Sequence, residues 1–184
     1  MRLIAIDPSK STGISFYNDG KITSSLILLE GEKGEVYKKW YDQLIAKIML
    51  FTPDAIIQES FFTSGKFCQG VDVNFVLRGI TQMICHTSNT TILECSPSEW
   101  KKYISTRSTP TKEQKELWKT KANKKFIQEA LDKDWGIQFP EKLGKKQLPS
   151  DIVDSVGILL YGIYLLTKEK PKNYTYIKDL LENY

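Results

Sequence analysis

The stretch Leu3–Tyr17, LIAIDPSKSTGISFY, decides how this 184-residue chain is read. Leu3 to Ile6 form an apolar run suited to a buried strand, and Asp7 ends it. A polar turn, Pro8-Ser9-Lys10-Ser11-Thr12-Gly13, follows before the strand pattern resumes at Ile14. Aspartate is disfavoured in strands and is almost never buried without a partner. Asp7 therefore either forms an Asx turn before Pro8 or holds something positive.

Working outward, ISFYNDGKITSSLILL reads as two strands joined at Asn18-Asp19-Gly20, a strong short-range hairpin signal. Val36 to Phe51 carries apolar and aromatic residues at 36, 37, 40, 41, 44, 45, 48 and 51, a helical stripe that Pro53 stops from continuing. DAIIQES, Asp54 to Ser60, is a short strand that again ends in an acid, Glu59. FFTSGKFCQG is a loop, Val71 to His86 a helix and TTILECS a strand. Pro97 to Tyr103 predicts a helical turn, Ser105 to Pro110 a Ser/Thr-rich connection, and Lys112 to Leu131 one basic helical stretch. DWGIQFPEKLGKKQLP reads as a loop. Ser150 then caps a helix running through Leu166, and a short helix near Asp179 closes the chain. The order β-β-β-α-β-α-β-α-α predicts one α/β domain over residues 1–184, a mixed sheet covered by helices.

Composition limits the chemistry. A single histidine, His86, speaks against zinc and His-based nucleophilic catalysis. Cys68, Cys85 and Cys95 are odd in number and lack CxxC spacing, so they are expected to be reduced thiols of an intracellular protein. No secretory signal or membrane span is expected. Net charge is +4, but residues 101–125 alone carry nine Lys/Arg against two Glu, leaving the remainder net negative. Such clustering is the footprint of a phosphate-backbone partner, or else a solvated Lys-rich face.

The acids form a set. Asp7 and Glu59 end apolar strands, and strand ends in an open α/β sheet converge at one edge. The last long helix opens SDIVDS, so Asp151 and Asp154, three apart, share a face of its first turn. That helix is otherwise apolar and is expected to lie on the sheet, bringing both acids to it. Taken singly, each acid has an ordinary explanation in a turn, a helix dipole or solvent. Four carboxylates in one pocket repel one another, and a hard cation is the natural compensation. Mg²⁺, with Mn²⁺ able to substitute, prefers oxygen ligands. Two ions together activate a water and steady the leaving oxygen of a phosphodiester.

IAIDPSKSTG, IIQESFF and SDIVDSVGILLYG resemble the motifs of the RuvC family, Holliday-junction resolvases of the ribonuclease H-like superfamily. With gaps, the likeness runs from Leu3 to about Leu166. It implies an α/β ribonuclease H-like fold, a five-stranded mixed sheet whose first three strands are antiparallel. It implies Asp7, Glu59, Asp151 and Asp154 as catalytic metal ligands for Mg²⁺. Phe62, beside Phe61, falls where the family wedges an aromatic into the junction centre; two core aromatics are the alternative. Lys101 in PSEWKKY and Lys121 in WKTKANKK match the family's lysines near the site, with Lys119 and Lys124 competing for the second place. Lys66, Lys102, Arg107, Lys119, Lys124 and Lys125 are expected backbone grips, alongside Lys101 and Lys121. The resemblance further implies branched DNA as partner, 5′-phosphate products, and a homodimer through the helix Val71 to His86.

Ser9 stands where many relatives have glycine, and both Ser105 to Thr120 and the tail after Lys168 look extended. These departures resemble the divergent resolvases of bacteriophages and large DNA viruses. The resemblance implies a bacterial cytoplasm or a viral replication site, and branched substrates that include, besides four-way junctions, three-way junctions and flaps. Other readings stay open. DPSKSTG also resembles a phosphate loop of actin-like and sugar-kinase ATPases, although those need two copies of the core. A non-catalytic branched-DNA binding module and an RNA-directed or transposase-like nuclease are further alternatives.

Overall fold

Six strands make the main sheet of the computed structural model, which describes residues 1–60, 71–140, 142–143, 146–147, 150–172 and 174–176. In chain order the elements are β1 (Arg2–Asp7), β2 (Ser11–Asn18), β3 (Lys21–Leu28), α1 (Lys33–Phe51), β4 (Ala55–Glu59), α2 (Val71–Thr87) and β5 (Thr91–Cys95). There follow α3 (Pro97–Ser105), α4 (Lys112–Trp118), α5 (Ala122–Trp135), β6 (Lys142–Leu143), β7 (Lys146–Gln147), α6 (Ser150–Thr167) and β8 (Thr175–Tyr176). The sheet order is β5-β4-β1-β2-β3-β8. β1, β2 and β3 are antiparallel neighbours, while β4 joins β1, and β5 joins β4, in parallel.

The expected α/β ribonuclease H-like arrangement, with its first three strands antiparallel, is present. Three details differ. The sheet has six strands, because the short β8 adds in parallel beside β3. The basic stretch Lys112–Leu131 is two helices: Lys119 takes a left-handed φ of 48°, and a 3₁₀ turn, Lys119–Lys121, separates α4 from α5. A backbone in that region cannot continue an α-helix, and periodicity alone does not reveal it. The segment read as a loop before α6 contains the β6–β7 pair. The helix expected near Asp179 lies outside the described residues.

β1 is buried on both faces, which is why it reads as an unbroken apolar run. Strand alternation sends Leu3 and Ala5 to one face and Ile4 and Ile6 to the other. The first face packs with Trp100, Ile127, Val156 and Leu159 from α3, α5 and α6. The second packs with Trp40, Leu44 and Leu77 from α1 and α2. By the same alternation Asp7 follows Leu3 and Ala5, and Glu59 follows Ala55 and Ile57, so both acids belong to the α6 face. The hairpin turns at Asp19 and Gly20, both at positive φ (45° and 86°), as an Asp-Gly turn requires.

α6 meets hydropathy and length limits for a membrane span, yet just over half of it (56%) is buried, chiefly against β1 and β2. Cys85 and Cys95 are buried free thiols, and burial pushes Cys85 up to about 11; Cys68 lies outside the described residues.

Candidate active site

Asp7 and Glu59 are each the next residue beyond the last β1–β4 pair, Ile6 with Gln58, so parallel register sets them side by side. α6 supplies the other two acids by lying very close to β2. A Cβ on Gly13, the residue paired with Asp7, would stand 1.8 Å from the backbone oxygen of Asp151. Only glycine leaves that space. A chain of buried hydroxyls fixes α6 further down. Ser155 donates to the Ile152 carbonyl at 2.9 Å and lies 2.7 Å from Ser15, which lies 2.8 Å from Ser24. With the Ser155 proton spent, Ser15 must donate to Ser155, and Ser24 to Ser15.

The acids lie within electrostatic range of one another. Burial, then the negative charges of Glu59, Asp154 and Asp151, hold the Asp7 carboxyl well above the usual carboxylate range; Lys101 opposes them. Burial also raises Glu59, against the pull of the Trp100 N–H and the Lys101 charge. The Trp100 indole Nε1 donates to Glu59 Oε1 at 2.7 Å. The Lys101 ammonium stands over the Trp100 ring, 5.0 Å from its centroid.

On the other side of Glu59, Glu94 gathers Arg78, Gln58 and Gln82. It accepts from Arg78 Nε at 2.8 Å and from Arg78 Nη2, and its Oε1 also accepts from Gln58 (3.0 Å) and Gln82 (2.7 Å). Burial pushes Glu94 up, but those donors outweigh it and hold the carboxyl below its usual range. The network braces α2 against β4 and β5. Beside it, Asp7, Pro8, Glu59, Asn74 and Arg78 line a cavity of about 40 Å³, enough for a water or a small ion.

The donor set is all carboxylate oxygen around a buried acid, the chemistry of a hard divalent cation. Among the described residues, no three Asp, Glu, His or Cys are drawn tightly enough to enclose an ion as they stand. The fit is therefore one of donor type and charge.

No protein-family model and no curated protein sequence matches this chain. Solved structures do. Thermus thermophilus RuvC superposes at TM-score 0.61 with 14% identity, covering 91% of this chain and 97% of that one. T. thermophilus RuvC in complex with a Holliday junction substrate gives TM-score 0.65 at 14% identity, over 94% of this chain and 100% of the other. The fold is that of RuvC. The yeast mitochondrial Holliday junction resolvase Ydc2 shares it at TM-score 0.53 and 17% identity, over 85% and 75% of the two chains.

On this RuvC fold, Asp7, Glu59, Asp151, Asp154 and Lys101 converge. Lys102, Arg107, Lys119, Lys121 and Lys125 are exposed on α3, on α5 and on the connections between α3 and α5. Lys121 is not among the groups whose charge shifts Asp7 or Glu59. Lys124 belongs to α5. Phe61, Phe62 and Lys66 lie outside the described residues. Sequence reading missed Trp100, Gly13 and the Arg78–Glu94 pair. The one available signal was the buried-type aromatic directly before Lys101, in SEWKK.

Proposed function

We propose that this chain is a metal-dependent, structure-selective DNA endonuclease that cuts Holliday junctions and other branched DNA. The observation that carries the reading is the gathering of Asp7, Glu59, Asp151 and Asp154, from two strand ends and one helix, around a carboxyl that burial and like charge push well above its usual range. The solved RuvC–junction complex of the same fold supports branched DNA as the substrate class.

In this reading the four acids would hold two Mg²⁺ ions, with Mn²⁺ able to replace them, and the bound metal would supply the activation of a water and the stabilisation of the leaving oxygen. The expected products are 5′-phosphate and 3′-hydroxyl ends. The protein residues position and steer. Asp7, on a rigid central strand, anchors the site. α6 delivers Asp151 and Asp154 as one unit. Lys101 sets a positive charge beside the acids, where charge builds on the phosphate. The exposed Lys102, Arg107, Lys119, Lys121 and Lys125, together with Lys124 of α5, grip the backbone without regard to sequence. By the family resemblance, Phe62 with Phe61 beside it would wedge into the junction centre, and Lys66 would join the backbone grip. A homodimer through α2, whose Phe75, Val76 and Met83 are exposed at 41%, 38% and 53%, would present two sites to the two-fold junction.

The test is cleavage of labelled four-way junction, three-way junction, flap and duplex by wild type and Asp7→Asn, in Mg²⁺, Mn²⁺ or EDTA. Metal-dependent nicks near the branch, lost in Asp7→Asn while junction binding persists, are the expected result. No cutting of any substrate, with junction still bound, would leave a binding module.

A further inference from the structure

We propose that Trp100 is a positioning residue for the metal site, occupying Glu59 Oε1 so that Oε2 faces the cation, and seating Lys101 on its ring. The inference rests on the nuclease reading above and names a part that neither the motifs nor the comparisons assign.

Three described tryptophans are buried, and their indole protons all find acceptors, as a buried N–H must. Trp40 donates to the Leu77 carbonyl at 3.1 Å and Trp135 to the Ile104 carbonyl at 3.0 Å. Those are ordinary structural bonds to neutral backbone. Trp100 instead donates to a carboxylate at 2.7 Å, the short length of a charge-assisted bond. The acceptor is one of the four acids of the site.

The ring has no freedom to let go. Trp100 is fully buried, and α6 leaves a notch for it at Gly157, where an added Cβ would stand 2.7 Å from ring atom Cζ3. The start of α3 is set by Pro97 and a reciprocal capping box between Ser96 and Glu99, which fixes the phase at which Trp100 and Lys101 leave the helix. An indole N–H also suits this task chemically. It orders a carboxylate without bringing a full positive charge that would compete with a cation, and it cannot accept a metal in its own right. The ring's upper face then holds the Lys101 ammonium at 5.0 Å, a cation–π distance. One side chain thereby orients an acid and the Lys101 ammonium of the same site.

Trp100→Phe keeps the ring and removes the donor. The expected result is an increase of about 10- to 100-fold in the Mg²⁺ concentration giving half-maximal junction cleavage, the range for losing an outer-shell partner. Most of the maximal rate should return at saturating Mg²⁺, and junction affinity in EDTA should match wild type. A merely structural role would lower folded fraction and binding without moving the metal requirement. A second readout does not depend on the variant folding. In ¹⁵N-labelled wild type, the indole resonance of Trp100, assigned by its contacts to Gly157, should shift on Mg²⁺ addition and in Glu59→Gln. An unaltered Mg²⁺ requirement in Trp100→Phe, or an indole resonance that neither change moves, would overturn the inference. Wild type that shows the Mg²⁺-dependent shift but cuts no branched substrate would overturn the nuclease reading and support the positioning role.

Discussion

The backbone oxygen of Asp151 fills the space that a side chain on Gly13 would need, 1.8 Å from the position of its Cβ. Gly13 is paired across the sheet with Asp7. One glycine therefore lets the helix that carries the last two acids approach β2, the strand beside the one that carries the first. A Cβ is fixed to its backbone and the atoms it would meet are backbone, so no rotamer change relieves the overlap.

Gly13→Ala should push the start of α6 off β2. Overpacking of this kind costs about 1–3 kcal/mol. The activity loss should be larger than the stability loss suggests, because a shift of about 1 Å in a catalytic group can cost about 100-fold. Thermal unfolding and junction cleavage of the same preparation measure both. Wild-type cleavage in a folded Gly13→Ala protein would show that the acids do not depend on this contact.

The metal-free protein should lose stability as pH rises. Asp7 and Glu59 both have folded values above their ordinary ones. Between those values the folded state keeps protons that the unfolded chain has released, so the contribution is full at lower pH and falls as pH climbs through the raised range. One such proton gives a slope of at most about 1.4 kcal/mol per pH unit. Urea denaturation in EDTA across a pH series should show this decline, and Asp7→Asn should flatten it. A decline of equal slope in Asp7→Asn would remove Asp7 as its source.

Met83→Glu should disrupt a homodimer formed through α2. Phe75, Gly79 and Met83 follow one another at i, i+4 spacing, Val76 lies alongside, and nothing crowds Gly79. A charge placed on such an apolar stripe costs its desolvation on association. Light scattering of wild type should give a dimer, and the variant a monomer that still binds junction. A monomeric wild type, with and without junction, would count against paired cuts.

Replacing Lys119, Lys121 and Lys125 together by Gln should weaken junction binding and plain duplex binding alike. Each lost phosphate contact lowers the salt slope by about 0.9. A salt titration of binding measures the change. An unaltered slope would assign these lysines to solvent.

Much of this architecture was legible from the chain. Leu3 to Asp7 announced a buried strand by its unbroken apolar run, and the structure gives the reason, since both its faces are covered. Asp19-Gly20 announced the hairpin because few residue pairs accept two positive φ values. The SDIVDS start of α6 placed two acids one turn apart by helical geometry alone. Other features were hidden. Lys119 breaks the basic helix by taking a positive φ, although lysine is a good helix former and propensity gives no sign of it. β8 joins the sheet only because a free edge of β3 was there to receive it.

By itself, then, the sequence determined which residues carry charge, where the main strands and helices lie, and on which face of its own element each acid stands. These are local matters, set by the periods of strand and helix and by the conformations that single residues allow. The tertiary structure alone decided that four acids from elements far apart in the chain stand together. It also decided that Gly13 lets α6 approach, and that Trp100 gives its proton to Glu59 rather than to a backbone carbonyl. Those outcomes depend on how closely packed surfaces fit, and closeness between distant segments has no period in the sequence to announce it.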